Sequence, residues 1–279
     1  MIVDDTINPE IKSSPNPRAT AIVVGNAKYS SRIFANNAAL KKKLKLFYMD
    51  VRSFAPNSQE HKEEDFTLDG FVNDIEAVRA QTGSERVILI GQSVHNFMVL
   101  EYARRFPERV NGVVLVGSSP KVNDKDLYES AREYFKTCAD PTRQELYHQS
   151  VKDFEESGDF SIAARMRAKM HKIWYNYDDP RKDNLWDDVK VNAVGWPLVW
   201  NKIFTDYDIS KTLAEIQCPI FLGLAQHDYI NPTIFWDDYL TIPNDLTVSI
   251  FALSGHNPQF EEPKIFDREL IQWLKSKNM

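Results

Sequence analysis

The stretch Val87-Ile88-Leu89-Ile90-Gly91-Gln92-Ser93-Val94-His95-Asn96 decides how this chain is read. Its first four residues are a short apolar run, the pattern of a strand covered on both faces in a parallel sheet. Beyond Ser93 a helix is expected to about residue 105, with Val99, Tyr102 and Phe106 on one face. A sharp strand-to-helix turn lifts a serine hydroxyl off the sheet edge, at the positive end of the following helix. The backbone N–H of Val94 then points to where an oxyanion would develop. Two roles are open to Ser93: nucleophile, or simple cap of the helix. In a G-x-S-x-G turn the second glycine packs tightly against its neighbours; His95 stands there instead and needs compensating room. His95 follows Ser93 too closely to act as its base and reads as a packed or pocket-lining residue.

Outward from this turn, strand and helix alternate. The apolar run at 21–24 and the stretches 44–51, 110–116, 219–224 and 246–252 read as further strands, and a short strand is expected near Ile2-Val3 in an otherwise irregular arm, 1–18. The clearest helix opens at Thr67, carries Leu68, Phe71, Val72, Ile75 and Val78 on one face, and stops at Gly83. Further helices are expected at 33–43, at 234–240 and from Lys264, where Phe266, Leu270 and Trp273 align. Residues 121–212 hold helical patterns and no convincing strand; Ala163, Met166, Met170, Ile173, Trp174 and Tyr177 mark one amphipathic helix. The expectation is an α/β fold: a mostly parallel central sheet with flanking helices and right-handed crossovers, built from 1–120 and 213–279 and split by a helical insertion at 121–212.

Serine is a poor nucleophile at neutral pH without an imidazole to take its proton and a carboxylate to orient that imidazole. Both occur after later strands, in the order Ser, Asp, His. Asp228 lies in Gln226-His227-Asp228-Tyr229-Ile230-Asn231-Pro232, and His256 in Ser254-Gly255-His256-Asn257-Pro258. Asp228 would also serve as a turn former, His256 as a structural turn residue, and His227 competes nearby. Their shared placement at strand ends, where open α/β sheets put their sites, favours catalysis by Ser93, Asp228 and His256.

The 279 residues are 43% hydrophobic, enough for a full core, and carry a net charge of −6 spread along the chain. That balance disfavours nucleic acid, which needs a concentrated basic surface; Lys41-Lys42-Lys43 reads as a solvated helix end. Cys138 and Cys218 lack metal-ligand or redox spacing and point to a reducing compartment. The amino-terminal stretch has no leader pattern, and no apolar run approaches the ~20 residues of a membrane span. A cytoplasmic protein acting on a small molecule is expected, without membrane, metal or cofactor: phosphate loop, dinucleotide fingerprint and metal-ligand cluster are all missing from the sequence.

The turn at Ser93, the segment Glu101-Tyr102-Ala103-Arg104-Arg105-Phe106-Pro107-Glu108-Arg109-Val110, and the loops around Asp228 and His256 together resemble the α/β-hydrolases. The resemblance covers essentially the whole chain except the insertion, which corresponds in position to that family's variable cap. It implies a second oxyanion donor in Val24-Gly25-Asn26, the backbone N–H of Asn26, with Ala27 the alternative. The family's histidine in that loop is missing, and the loop at 50–57, beginning Asp50-Val51-Arg52, keeps neither family glycine. Asn26 and Asn96 are expected to replace glycine by tolerating left-handed geometry. A serine nucleophile argues against haloalkane dehalogenase or epoxide hydrolase chemistry, and the G-G-x-W-G elbow of proline iminopeptidases is absent.

Trp174, Tyr175, Tyr177, Trp186, Trp196 and Trp200 crowd the insertion. Trp174, Trp196 and Trp200, with His95, are the expected substrate-binding residues; the alternative is that the rings only pack insertion against core. The acidic pairs Glu155-Glu156 and Asp178-Asp179 would suit an amine but read better as solvated. The expected function is a serine hydrolase cleaving a small, largely apolar ester, thioester, lactone or amide through an acyl-enzyme. A catalytically weak receptor or scaffold, or a lyase using the same triad, are the alternatives.

Overall fold

The computed structural model describes residues 2–4, 19–55 and 60–279. The seven strands are β1 (Ile2–Asp4), β2 (Ala19–Gly25), β3 (Leu44–Asp50), β4 (Val87–Gln92), β5 (Val110–Val116), β6 (Ile220–Ala225) and β7 (Leu246–Phe251), in the sheet order β1-β3-β2-β4-β5-β6-β7. Only β1 runs antiparallel, on β3 at the edge; the other six are parallel.

Side chains alternate across the sheet with period two, so each central strand feeds two cores. Ile22, Val24, Leu89, Leu115 and Leu222 pack on one face with Phe71 and Phe97 from the helices Leu68–Thr82 and His95–Arg105. Ala21, Val23, Ile88, Ile90 and Val114 pack on the other with Phe266, Leu270 and Trp273 of the carboxyl-terminal helix Pro263–Ser276. Both faces are covered, which is why these strands read as continuous apolar runs.

From β2 the chain crosses to β3 on one side of the sheet and later to β4 on the other. The carboxyl ends of β2 and β4 therefore flank a switch point, the place where a crevice opens in such sheets. Gly25-Asn26 and Gln92-Ser93 sit there.

Between β5 and β6 the chain is helical, with no strand among the described residues, and its longest helices are Lys125–Cys138 and Pro141–Ser157. Three expected helices differ. The one at 33–43 is two, Ala27–Ile33 and Ala38–Lys43: the Asp267 carboxylate accepts from the Asn37 side chain (2.8 Å) and from the N–H groups of Ala39 and Leu40, so a new helix starts there. The amphipathic helix of the insertion breaks at Lys169 into Ile162–Ala168 and Met170–Ile173, ending before Trp174. At 234–240 there is a single 3-10 turn, Thr233–Trp236, held where the Trp236 indole donates to the Ser118 carbonyl (2.9 Å).

Candidate active site

Ser93 takes φ 54°, a left-handed conformation that costs a non-glycine residue of order 1–3 kcal/mol and persists only where its surroundings enforce it. They do: the Ser93 N–H donates to Val116 at the end of β5 (2.9 Å), and its carbonyl accepts the N–H of Asn96 (3.0 Å) in the first turn of the helix. The Asn96 side chain ties the same turn to the Val116 carbonyl (3.0 Å).

Asp228 and His256 converge from the loops after β6 and β7. The imidazole Nδ1 lies 2.7 Å from Asp228 Oδ2. Asp228 is 1% exposed, and its other oxygen accepts the N–H groups of Ile230 and Asn231, both at 2.9 Å. A carboxylate accepting three hydrogen bonds has little freedom, so the ring it holds is oriented too. The N–H of His256 donates to the Ile173 carbonyl (2.6 Å), where the broken helix of the insertion ends.

Two glycines admit this loop. Gly117, at φ 54° after β5, lies under the imidazole: a Cβ there would stand 2.8 Å from the His256 carbonyl and 3.0 Å from Nδ1. At Gly255 a Cβ would collide with the Ile173 carbonyl. Gln92 links the two halves, its side-chain amide donating to the His256 carbonyl (3.3 Å) and to Asn257 Oδ1, which also accepts the Tyr29 hydroxyl (2.8 Å). Glu261 adds a brace, Oε2 accepting the N–H of Gly255 (2.7 Å) and Oε1 those of Tyr175 (2.7 Å) and Asn176 (3.2 Å).

Ser93, Val94, Asn26, His95 and His256 line one cavity of about 150 Å³, walled by Trp174, Trp196, Trp200, Trp186, Tyr29, Phe54 and Ile173 among others. All four expected substrate-binding residues thus face the space that holds Ser93 and His256. No hydrogen bond joins the Ser93 hydroxyl to the imidazole among the described residues. The backbone N–H groups of Val94 and Asn26 are likewise unengaged there, whereas the N–H of Ala27, the alternative donor, is taken by Asp50 Oδ1 (2.8 Å).

Asn26 does not use left-handed geometry. At φ −108° it is extended, its side chain capping the next helix through the Tyr29 N–H (2.7 Å) and donating to Asp50 (3.1 Å). Asn96 is helical. Neither position needs glycine; the positive φ falls on Ser93 itself. Of the 50–57 loop, Pro56 and Asn57 lie outside the described residues, while Arg52 is fixed by a two-pronged ion pair with Asp74 (2.8 and 2.9 Å).

His95 finds its room between Gly25, Phe54 and Trp196. Its Nδ1 lies 3.1 Å from the Gln92 carbonyl, which only accepts, so that nitrogen carries the proton. Nε2 is then a lone pair, buried without a partner. Burial lowers the His95 pKa to about 4, leaving the ring neutral near pH 7. The rival His227 stacks on Tyr175 (4.5 Å) outside the cavity, and Tyr177 packs on His171 (4.7 Å). Glu155, Glu156, Asp178 and Asp179 line neither this cavity nor the larger one beside it.

Sequence reasoning missed Tyr29, Gln92, Gly117, Lys169 and Glu261. Gly117 carried a usable signal, the first residue past a strand whose neighbours all end in functional loops. Tyr29 and Gln92 carried none, because their partner Asn257 is more than 160 positions away.

A family model described as alpha/beta hydrolase fold matches residues 23–263. A curated relative, "AB hydrolase superfamily protein YclE" of Bacillus subtilis (strain 168), is 31% identical over 262 residues, covering 92% of each chain. A proline iminopeptidase of Thermoplasma volcanium is 21% identical over 235 residues, covering 78% of this chain and 75% of its own. Among solved structures, a thermophilic esterase from Thermogutta terrifontis superposes with a TM-score of 0.68 at 15% identity, over 100% of this chain and 94% of its own. The chain belongs to the alpha/beta hydrolase fold family.

Proposed function

We propose that this protein is a serine hydrolase acting on a small ester, thioester, lactone or amide, with 121–212 serving as a cap over the site. The carrying observation is that Ser93, strained at the end of β4, shares a cavity with His256, whose far nitrogen is bound by the buried Asp228. Ser93 Oγ attacks the carbonyl carbon as its proton passes to His256 Nε2, and Asp228 stabilises the imidazolium. The N–H groups of Val94 and Asn26 receive the oxyanion, a contribution of roughly 3–4 kcal/mol for each donor. The tetrahedral adduct expels the leaving group, which takes the proton from His256. Water, deprotonated by the same imidazole, then releases the acid and regenerates Ser93.

A cavity of about 150 Å³ walled largely by aromatic rings takes a group of about benzene size, so the acyl part is small. The test is labelling by a fluorophosphonate probe. Labelling that disappears in Ser93→Ala supports the hydrolase; folded protein that stays unlabelled at Ser93 refutes it and favours a ligand receptor. An acyl adduct on Ser93, seen by mass spectrometry with a slow ester, further separates hydrolysis from lyase chemistry.

A further inference from the structure

Two cavities meet at Ser93. The aromatic one described above opens beside a larger, open one of about 610 Å³, and the two share Ser93, Val94, Lys169, Trp200 and Ile230. Their charges are one-sided. Among the described residues the aromatic cavity is lined by no carboxylate. The open one has among them a single acid, Asp124, already occupied by Lys121 (3.1 Å) and by the N–H of Leu127 (3.0 Å). Against it stand Lys121, Lys125 and Lys169. In a chain of net charge −6 this is a local reversal of sign, beside the nucleophile.

Among the described residues, Lys169 is the only cation lining both cavities. It sits at the break in the insertion's helix, where its carbonyl accepts the N–H groups of Lys172 (2.9 Å) and Ile173 (3.1 Å). Ile173 in turn accepts the His256 N–H (2.6 Å), so the backbone of Lys169 is tied to the loop of the base. Its ammonium forms no ion pair among the described residues. Although solvent reaches the residue, burial among its neighbours and repulsion from Arg165 push its pKa below the usual lysine value. Lys169 is exposed, so its ammonium stays solvated and is free to turn toward either cavity, where a ligand of opposite charge is favoured.

We propose that Lys169 selects substrates whose leaving group carries a carboxylate, the acyl part entering the aromatic cavity and the anionic leaving group the open one. This rests on the hydrolase reading and narrows it, from largely apolar esters to esters apolar on the acyl side and anionic on the other. A substrate presenting a protonated amine would meet lysines and no free carboxylate.

The experiment compares 4-butyryloxybenzoate with its methyl ester, one anionic and one neutral at the far end of the leaving group; their intrinsic difference in size and leaving-group acidity is common to all variants and cancels when the ratio is compared between them. In Lys169→Met the ratio of kcat/KM values, carboxylate over methyl ester, is expected to fall at least ten-fold, chiefly through KM; Lys169→Arg retains most of it and Lys169→Glu lowers it further. A ratio that stays within two-fold across these variants overturns the proposal while leaving the hydrolase standing. A second measurement needs no turnover: benzoate is expected to slow fluorophosphonate labelling of Ser93 in the native protein more than benzamide does, and to lose that advantage in Lys169→Met. Equal protection by both probes overturns the anion site. Absence of labelling at Ser93 instead overturns the hydrolase reading, and this proposal with it.

Discussion

The two halves of the site are built in opposite ways. On the side of Asp228 and His256, each carboxylate oxygen is bonded, the ring is held from Nδ1, and the loop is pinned by Ile173, Gln92 and Glu261. On the side of Ser93, the hydroxyl, the N–H groups of Val94 and Asn26, and the Nε2 of His95 have no hydrogen-bond partner among the described residues. The fixed half holds the groups whose orientation must be settled before reaction; the unbonded half holds those that a substrate's carbonyl and acyl chain would engage. Electrostatic stabilisation of a transition state works through donors already aimed and not already used, so the contrast fits the acyl transfer proposed above.

The largest test breaks the fixed half at its anchor. Asp228→Asn keeps the shape but removes the charge that stabilises the imidazolium and selects its tautomer. A loss of roughly 10⁴ in kcat is expected for such a change, with KM much less affected, measured on a nitrophenyl ester. A loss below ten-fold would mean that Asp228 does not serve His256 in the reaction.

Glu261 tests how that half is braced, through pH. Burial chiefly, with the Asp228 charge adding, raises its pKa from 4.5 to about 7 against three backbone N–H donors that pull it down. The folded state therefore holds this proton to higher pH than the unfolded chain does. Its contribution to stability is fully present below pH 4.5 and is lost as pH rises through about 7, by at most about 3 kcal/mol. Glu261→Gln, which cannot ionise, is expected to shrink the drop in thermal midpoint between pH 4.5 and pH 8. An identical drop in both proteins would place the ionisation of Glu261 elsewhere.

Gly117→Ala tests the close approach of β5 to the imidazole. The added methyl meets the His256 carbonyl and ring at a position already at positive φ. Displacing a catalytic group by about 1 Å costs on the order of 100-fold in rate, so kcat is expected to drop by about that factor. Ser118→Ala, one residue on, removes a side chain whose hydroxyl makes only a weak local contact at 3.4 Å, and serves as the control.

The sheet was readable from sequence because strands buried on both faces leave unbroken apolar runs, as at 87–90 and 113–116. Ser93, Asp228 and His256 stood out as candidates because each lies in the loop that follows a strand, Ser93 directly after β4 and the other two a few residues beyond β6 and β7. What did not show were features made by distant segments meeting. Glu261 lies only five residues past His256, yet its reach to Tyr175 and Asn176 depends on how the insertion folds back. The insertion's helix was read as continuous because Met166, Met170 and Ile173 keep helical spacing across Lys169; periodicity records the buried face and is silent on the backbone between. The expectation of left-handed asparagines failed for a related reason. It assumed that a missing glycine must be replaced in kind, whereas the chain moved the strained conformation onto Ser93 and kept Asn26 extended.

His95 gives the smallest and most specific test of the unbonded half. It occupies the second glycine position of the turn, and its ring fills the gap between Phe54 and Trp196 at ring-centre distances of 6.1 and 6.5 Å. Burial keeps it neutral above about pH 4, so what it offers to the cavity is its shape and the lone pair on Nε2, not charge. His95→Gly restores the common turn at a helix cost of at most about 1 kcal/mol and joins the vacated volume to the aromatic cavity. The chain length preferred among nitrophenyl esters is expected to lengthen by about one or two carbons, each methylene contributing roughly 0.8 kcal/mol of burial. The pH profile between 6 and 8 should not move, since no group titrating there has been removed. An unchanged chain-length optimum would mean that the acyl chain lies elsewhere, on the open side with Lys169, and the assignment of the two cavities would have to be exchanged.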